Sequence, residues 1–215
     1  MIRIFYKVDK DIDCEIQDNM YRLRAKVFSK RLDWYVNVTD GFEKDKFDSY
    51  NPLYVVYLND NNQVIGTSRL LKTTGSTMLR DVFSRCLPKG VDIRTPFIWE
   101  STRFAVDTVL TRESCHNGLN KVTVEMLAAL IEIGAYAGLS HIVSVLDVRM
   151  ERIMRRAGYA TERLGDPVDY GGIQTLAVLI KCSEKLLPYI HHKDQLRAYK
   201  LFEQFQKIKL VINTP

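Results

Sequence analysis

Several features that define other protein classes are scarce or missing in this chain of 215 residues. Its 4 cysteines form no C-x-x-C pair and have no cysteine–histidine spacing of the kind that binds zinc. No apolar run approaches the ~18 residues that a membrane span needs, and the first residues lack the apolar core of a signal peptide. We therefore expect a cytoplasmic protein with reduced cysteines, no metal site and no membrane association.

The chain also lacks internal repeats, low-complexity tracts and linkers, so a single domain over residues 1–215 is expected. A composition of 46% hydrophobic and 27% charged residues is that of an ordinary globular protein. The net charge of +5 favours an acidic partner. Nucleic acid is a poor candidate for that partner, because the basic residues form no binding motif and are not interleaved with aromatic residues.

Periodicity of apolar residues gives a coarse secondary structure. The predicted elements are strands at 2–6, 53–58, 63–71, 98–106, 141–146 and 175–180, and helices at 11–30, 78–87, 122–136, 149–157 and 186–210. The order is a helix, an antiparallel hairpin, a central strand, and then alternating helices and strands. This order predicts an α/β (α+β) protein with a mixed sheet flanked by helices.

Two charged residues, Glu100 and Arg103, interrupt the strand Ile98–Val106, which otherwise suits a buried core. Burying a charge is costly unless it has a partner. Residues three apart point to opposite faces of a regular strand, so a bulge is needed to direct both side chains into one pocket. A structural ion pair explains these residues as well as a catalytic site does.

The segment 31–52 breaks the periodicity, and we interpret it as a long functional loop. Asp45 and Asp48 lie within one turn of each other, which is unfavourable unless a cation neutralises them, and Trp34 can offer a ring face to the same cation. The alternative is an exposed acidic loop. Arg69 lies near the end of an apolar strand, so we expect it to have a carboxylate partner. For Arg24, the rarity of buried arginines favours a position on the surface in contact with solvent.

Together these residues resemble the acyl-homoserine-lactone synthases, the autoinducer synthases of bacterial quorum sensing. The order and spacing of these residues match the family from about residue 22 to 106, and a looser match continues to about residue 180. After about residue 183 the sequence has no firm match to the family. Thr102 departs from the usual serine but keeps the hydroxyl. The matching residues are Arg24-x-x-x-Phe28, Arg31-Leu32-x-Trp34, Asp45-x-x-Asp48, Asn51-Pro52-x-Tyr54, Arg69-Leu70-Leu71-x-Thr73-Thr74, Met78-Leu79 and Glu100-Ser101-Thr102-Arg103-Phe104.

The resemblance implies a fold similar to the N-acetyltransferases and a two-step reaction. The amine of S-adenosylmethionine attacks the thioester of an acyl-acyl-carrier-protein, and the methionyl carboxylate then displaces methylthioadenosine to close a lactone. Adenosylmethionine is a substrate here, so no separate cofactor is expected.

The resemblance also assigns roles to individual residues. Asp45 and Asp48 are expected at the cationic end of adenosylmethionine, with Phe28 and Trp34 as a pocket wall. The arginines keep their protons, so they hold the loop carboxylates or clamp the substrate carboxylate. Glu100 is the candidate base, with Arg103 beside it. The full set expected around adenosylmethionine is Arg24, Phe28, Trp34, Asp45, Asp48, Arg69 and Phe104.

An acyl chain needs an apolar tunnel, and the expected acyl-binding residues are Ser101, Leu127, Leu130, Ser144 and Leu146, although plain core packing explains each leucine equally well. Ser144 falls at the family position associated with discrimination between 3-oxo and unsubstituted chains. Serine is smaller than the threonine typical of 3-oxo producers, which favours an unsubstituted or hydroxy chain. Backbone amides near Ser101 or Ser144 are candidates for stabilising the tetrahedral oxyanion.

A basic helix is the expected docking site for the acidic carrier protein, the alternative being a solvated basic face. Its basic residues are Arg149, Arg152, Arg155 and Arg156. Other functions stay open: the same reaction with an acyl-coenzyme A donor, a generic acetyl-coenzyme A-dependent N-acetyltransferase, or a non-catalytic adenosylmethionine-binding protein. Residues 155–160 match the coenzyme A signature R-x-x-G-x-A, but at the end of a predicted helix rather than before one.

Overall fold

The computed structural model describes residues 1–6, 14–111, 113–115, 118–183, 185, 201 and 203–206. Residues 11–13 of the first predicted helix, and most of the helix predicted over 186–210, lie outside the described residues.

A mixed eight-stranded sheet forms the centre of the molecule, and it confirms the expected fold class. The strands in chain order are β1 (Ile2–Tyr6), β2 (Val38–Thr39), β3 (Phe42–Glu43), β4 (Leu53–Leu58), β5 (Val64–Lys72), β6 (Ile98–Val106), β7 (His141–Asp147), β8 (Thr161–Arg163), β9 (Val168–Tyr170) and β10 (Ile173–Lys181). The sheet order is β1-β4-β5-β6-β7-β10-β8, with β9 also paired to β10, while β2 and β3 form a separate hairpin. The β6–β7 pair is parallel and the other pairs are antiparallel.

The helices cover both faces of this sheet. They are α1 (Cys14–Arg24), α2 (Met78–Asp81), α3 (Lys121–Tyr136) and α4 (Val148–Arg156), with 3-10 turns at Lys46–Ser49 and Ser84–Cys86. The helix predicted over 11–30 changes register, because α1 continues as a π-helix over Ala25–Arg31. None of the helices in the described part of the chain has the length and apolarity of a membrane span. The cytoplasmic location stays a prediction.

Two apolar layers hold the helices to the sheet. On one face α1 packs through Met20 and Leu23 against β4 and β5, together with Phe28 of the π-helix that continues it. On the other face α3 packs against the sheet, and every residue from Val122 to Gly134 is buried. An apolar helix buried on all sides belongs inside a domain rather than at its surface. The sheet is therefore covered by an apolar layer on each face.

The bulge that the sequence required in β6 is present. Ala105 pairs with Thr67, whereas Thr102 pairs with Arg69, so β6 contains one residue more than β5 between these pairs. Arg103 lies in the extra stretch with a φ of 54°, a left-handed conformation that non-glycine residues rarely adopt. The bulge directs Arg103 toward the α1 face, which Glu100 also faces.

The parallel pairing of β6 with β7 is short. It begins at Ile98 opposite His141 and ends at Ser101 opposite Ser144, after which the two strands are no longer paired. The Ser144 hydroxyl donates to the Ser101 carbonyl oxygen across this last pair, at 2.9 Å. The ladder therefore ends one residue beyond Glu100, the candidate base.

The outer edge of β1 is closed by a side chain from the C-terminal region. The Gln204 amide nitrogen donates to the Ile2 carbonyl oxygen, and its amide oxygen accepts from the Ile4 backbone nitrogen, both at 3.2 Å. One glutamine side chain thus reproduces a pair of ladder hydrogen bonds.

Gly134 of α3 lies against Cys182, and a Cβ at this position would overlap the Cys182 sulfur. We expect Gly134→Ala to lower the free energy of unfolding by about 1–2 kcal/mol, because overpacking outweighs the better helix propensity of alanine. Adding Cys182→Ala should recover most of that loss. Urea denaturation of the single and double variants measures both changes, and a more stable Gly134→Ala protein would contradict this packing.

Candidate active site

Three arginines and three acids form a cluster on the α1 face of the sheet. The arginines come from α1, β5 and the bulge of β6, and the acids from β3 and the loop that follows it. The members are Arg24, Arg69, Arg103, Glu43, Asp45 and Asp48. Opposite charges balance within the cluster, which makes the burial of so many ionised groups tolerable.

Asp48 is the centre of the cluster and is 3% exposed. Arg24 binds it with two nitrogens at 2.9 and 3.0 Å, and Arg69 Nη1 binds it at 2.8 Å. The Tyr54 hydroxyl donates at 2.7 Å and the Asp45 backbone nitrogen at 2.9 Å. Burial alone would raise the pKa of Asp48, but the two guanidinium groups hold it well below its usual range. Because its two oxygens together accept five hydrogen bonds, Asp48 suits a positioning role better than direct contact with a substrate cation.

Asp45 is more accessible, with 17% of its side chain exposed. It accepts from Arg69 Nη2 at 3.0 Å and from Arg103 Nη2 at 2.8 Å. It also caps the 3-10 turn Lys46–Ser49 by accepting from the Phe47 nitrogen. Of the two aspartates that the sequence singled out, Asp45 is therefore the one nearer to solvent.

Glu43 completes the cluster and was missed by the sequence analysis. It is fully buried, accepting from Arg24 Nε at 2.6 Å and from Arg103 Nη2 at 2.9 Å. The sequence contains a signal for the hairpin that carries Glu43, because Asp40-Gly41 is a strong hairpin turn sequence. In the structure both residues have positive φ. The β2–β3 hairpin around that turn brings Glu43 into the protein, where the sequence predicted only an irregular loop.

The arginines are correspondingly buried. Arg24 is wholly inaccessible rather than solvated, so the composition-based expectation for it is wrong. Burial opposes its charge, but hydrogen bonds and charges from Asp48 and Glu43 raise its pKa. Arg69 has the carboxylate partners that its position required, and its Nε also donates to the Thr102 hydroxyl at 3.1 Å. The hydroxyl kept at residue 102 thus orients an arginine of the cluster.

Glu100 lies beside this cluster and is completely buried. Its two oxygens accept from the backbone nitrogens of Met78 at 2.8 Å and Leu79 at 2.6 Å, at the start of α2. Burial raises the pKa of Glu100 to about 7, although the two amide hydrogen bonds partly oppose the shift. The Met78 sulfur accepts from Arg69 at 3.2 Å and from Arg103 at 3.7 Å, so Glu100 and the arginines share one site.

An aromatic pair flanks the cluster. The rings of Phe28 and Trp34 are stacked, with centroids 5.4 Å apart and planes inclined by 13°. The Arg103 guanidinium carbon lies 5.5 Å from the Phe28 centroid, within cation–π range. The structure does not bring Phe104 into this group, since that ring packs against the core shared with α3.

The expected acyl-binding residues lie around the end of the β6–β7 ladder. Ser101 and Ser144 face each other there, and the Ser101 hydroxyl is also 3.1 Å from that of Ser68. Leu127, Leu130 and Leu146 belong to one buried cluster on the α3 side. The structure therefore brings these five candidates to the same side of the sheet, while their contact with an acyl chain stays a prediction.

The basic residues of α4 are exposed, as a docking surface requires. Arg155 pairs with Glu151 at 3.0 Å, and Glu151 also binds Arg163 at 2.6 Å. Arg149 and Arg152 form no ion pair with the described residues. Since α4 ends at Arg156, the R-x-x-G-x-A match over residues 155–160 lies at the end of a helix, as expected, and does not precede one.

Comparison with known proteins decides the family, because a model described as autoinducer synthase matches residues 10–188. The chain belongs to the autoinducer synthase family. An acyl-homoserine-lactone synthase of Agrobacterium fabrum is 39% identical over 158 residues, which cover 74% of this chain and 75% of that protein. Among solved structures, the AHL synthase LasI matches with a TM-score of 0.77 and 29% identity, over 93% of this chain and 98% of its own.

Other solved structures widen this comparison. TofI, in a ternary complex with an inhibitor and MTA, matches with a TM-score of 0.72 and 28% identity, over 87% of this chain and 96% of its own. The CoA-dependent synthase BjaI, at 21% identity, shares the fold with a TM-score of 0.82 over 98% of this chain and 99% of its own. An N-acetyltransferase from Lactobacillus plantarum, at 16% identity, also shares the fold, with a TM-score of 0.54 over 85% of this chain and 99% of its own.

The resemblance drawn from the residues is thus confirmed, together with the N-acetyltransferase-like fold. This autoinducer synthase is an acyltransferase of the acyl-homoserine-lactone synthase type. The roles of its individual residues stay predictions.

Glu43 offers a test of the cluster. We expect Glu43→Gln to lower the free energy of unfolding by about 3–5 kcal/mol, because it leaves Arg24 and Arg103 short of a buried partner. The control is Asp92→Asn, which removes the exposed partner of Arg80 and should cost less than about 1 kcal/mol. Urea denaturation compares the two variants, and equal losses would show that the cluster contributes no more than a surface ion pair.

Proposed function

We propose that this protein transfers an acyl chain from an acyl-acyl-carrier-protein to the amine of S-adenosylmethionine. The acylated product then closes to an acyl-homoserine lactone and releases methylthioadenosine. The observation that carries the proposal is a buried glutamate with a pKa of about 7, next to an arginine–carboxylate cluster and a stacked aromatic pair. TofI, whose structure was determined with MTA, supports a nucleoside thioether site in this fold.

Within the arginine–carboxylate cluster, exposure distinguishes the residues that meet adenosylmethionine from those that support them. Asp45 and Arg103, with 17% and 12% of their side chains exposed, are the accessible members of the cluster. Asp45 accepts from the substrate ammonium, and Arg103 donates to its carboxylate. The Phe28–Trp34 stack offers a flat apolar surface to the adenine and the sulfonium. Arg24, Asp48 and Glu43, which are more deeply buried, fix the positions of these groups.

Glu100 removes the proton that the substrate amine loses when it attacks the thioester, directly or through one water. An α-amine has a pKa near ~8 and must be neutral to act as a nucleophile. A base with a pKa of about 7 is well matched to that task, since about half of it is ionised at neutral pH and it is basic enough to accept the proton. Adenosylmethionine is consumed as a substrate, so the reaction needs no separate cofactor.

The end of the β6–β7 ladder provides the place for the acyl group. Beyond Ser101 and Ser144 the facing edges of the two strands carry backbone amides that are not used in pairing β6 with β7. Such amides stabilise the oxyanion that forms when the thioester carbonyl is attacked. The acyl chain then extends toward Leu127, Leu130 and Leu146.

The choice of an acidic carrier protein as donor is supported by the exposed basic surface of α4. A compact coenzyme A donor needs instead a phosphate-binding turn, for which the N-terminus of α3 is the usual place. At that N-terminus the Asn120 side chain already accepts from the Thr123 backbone nitrogen. The alternative of an acyl-coenzyme A donor rests on the shared fold with BjaI, which is CoA-dependent.

Glu100→Gln tests the base. We expect its turnover to fall by about 10²- to 10⁴-fold, because a neutral amide cannot accept the proton. Adenosylmethionine should still bind, which isothermal calorimetry measures and which also shows that the variant folds. In the wild-type protein kcat/KM for adenosylmethionine should rise with pH through about 7, since Glu100 of the free enzyme is protonated below that value. Unchanged turnover in the variant would remove Glu100 from the mechanism.

Charge reversal on α4 tests the donor. With lactone measured by mass spectrometry, we expect Arg149→Glu combined with Arg152→Glu to raise KM for the acyl-carrier-protein donor about tenfold. The KM for adenosylmethionine should not change. Lys89→Glu with Lys181→Glu is the matched control, because these exposed residues lie elsewhere and alter the net charge equally. A wild-type protein that makes lactone from acyl-coenzyme A alone would establish the alternative donor.

A further inference from the structure

The helix that carries Phe28 changes its hydrogen-bonding register at the site. After Arg24, α1 continues as the π-helix Ala25–Arg31, which closes with the Leu32 nitrogen donating to the Val27 carbonyl oxygen at 3.0 Å. π-Helical turns are rare and often occur at functional sites. The wider register changes the direction of each side chain that follows, so the position of Phe28 depends on it.

Trp34 depends on the same segment. Its backbone nitrogen donates to the Phe28 carbonyl oxygen at 2.9 Å, while its ring stacks on the Phe28 ring. The aromatic wall of the site is therefore attached at two points to one turn of an uncommon helix. An uncommon helix needs contacts from outside to persist against the ordinary α-helical register.

Those contacts come from the end of β6. Lys26 Nζ lies 2.6 Å from Asp107 Oδ2, in an ion pair whose acid is only 5% exposed. Arg31 Nη1, five residues further and thus one π-helical turn away, donates to the Val106 carbonyl oxygen at 2.9 Å and to the Thr108 hydroxyl at 3.0 Å. Lys26 and Arg31 thus both attach the π-helix to residues 106–108.

Asp107 is a firm anchor for this attachment. Its Oδ1 accepts from the Val109 and Leu110 backbone nitrogens at 3.1 and 3.3 Å, and its own nitrogen donates to the Ile65 carbonyl oxygen at 2.8 Å. The aspartate is therefore fixed to both β5 and the turn after β6. A lysine bound to it is held relative to the strand that carries Glu100 and Arg103.

We propose that Lys26 is a positioning residue for adenosylmethionine, because its ion pair with Asp107 keeps the π-helix in the register that stacks Phe28 on Trp34. Lys26 does not touch the substrate; it acts through the aromatic wall. The choice of ligand rests on the function proposed above, whereas the ordering of the wall does not.

Lys26→Met tests this role, with Lys30→Met as the matched control. Lys30 lies in the same π-helix, is exposed, and forms no ion pair with the described residues. Loss of the partly buried ion pair should raise KM for adenosylmethionine about fivefold in Lys26→Met and change kcat less than twofold. Lys26→Arg should restore KM to within about twofold, because it keeps the cation. Lys30→Met should behave as the wild-type protein.

Acrylamide quenching of tryptophan fluorescence without substrate supplies a readout that does not require activity. The chain has 2 tryptophans, and a Trp34→Phe variant gives the contribution of Trp99. Quenching of Trp34 should increase in Lys26→Met and not in Lys30→Met. The same KM and quenching in both variants would overturn the proposal. A wild-type protein that makes no lactone would refute the proposed function instead, and the quenching result would still decide the role of Lys26.

Discussion

The site depends on one electrostatic constraint, which is that three arginines on the sheet side must be neutralised inside the protein. Arg24 and Arg69 are inaccessible to water and cannot lose their protons, so their burial requires carboxylates at close range. Glu43, Asp45 and Asp48 supply them, and all three come from one segment of chain. The requirement for neutrality therefore folds that segment over the sheet, and this folding encloses one side of the candidate site.

Two irregularities of the sheet complement this constraint. The bulge in β6 turns Arg103 toward the acids, and the short parallel ladder releases β6 from β7 one residue after Glu100. A regular strand would have placed Glu100 and Arg103 on opposite faces, and a longer ladder would have kept β6 and β7 paired beyond Glu100. Both irregularities thus lie in the strand that carries Glu100 and Arg103.

The sequence predicted the regular parts of the molecule well, because they rest on local periodicity. The strand Ile98–Val106 has the predicted bounds, and the hairpin of β4 and β5 differs by a residue at each end of β5. Glu43, the π-helix and the short strands β8 and β9 were missed. Glu43 depends on a hairpin turn that was not recognised, and the π-helix depends on tertiary contacts with β6, which no local pattern encodes. The grouping of the cluster residues was predicted from the resemblance to the acyl-homoserine-lactone synthases. Composition and spacing alone placed Arg24 at the surface.

The glutamine at the edge of β1 has a consequence for the protein at high concentration. An edge strand with free backbone groups is a template for pairing with another copy, and such pairing leads to aggregates. Here the Ile2 carbonyl and the Ile4 amide are already satisfied by the Gln204 side chain. A second chain that approaches this edge finds its two central bonding positions occupied by the Gln204 side chain, so intermolecular strand addition is disfavoured.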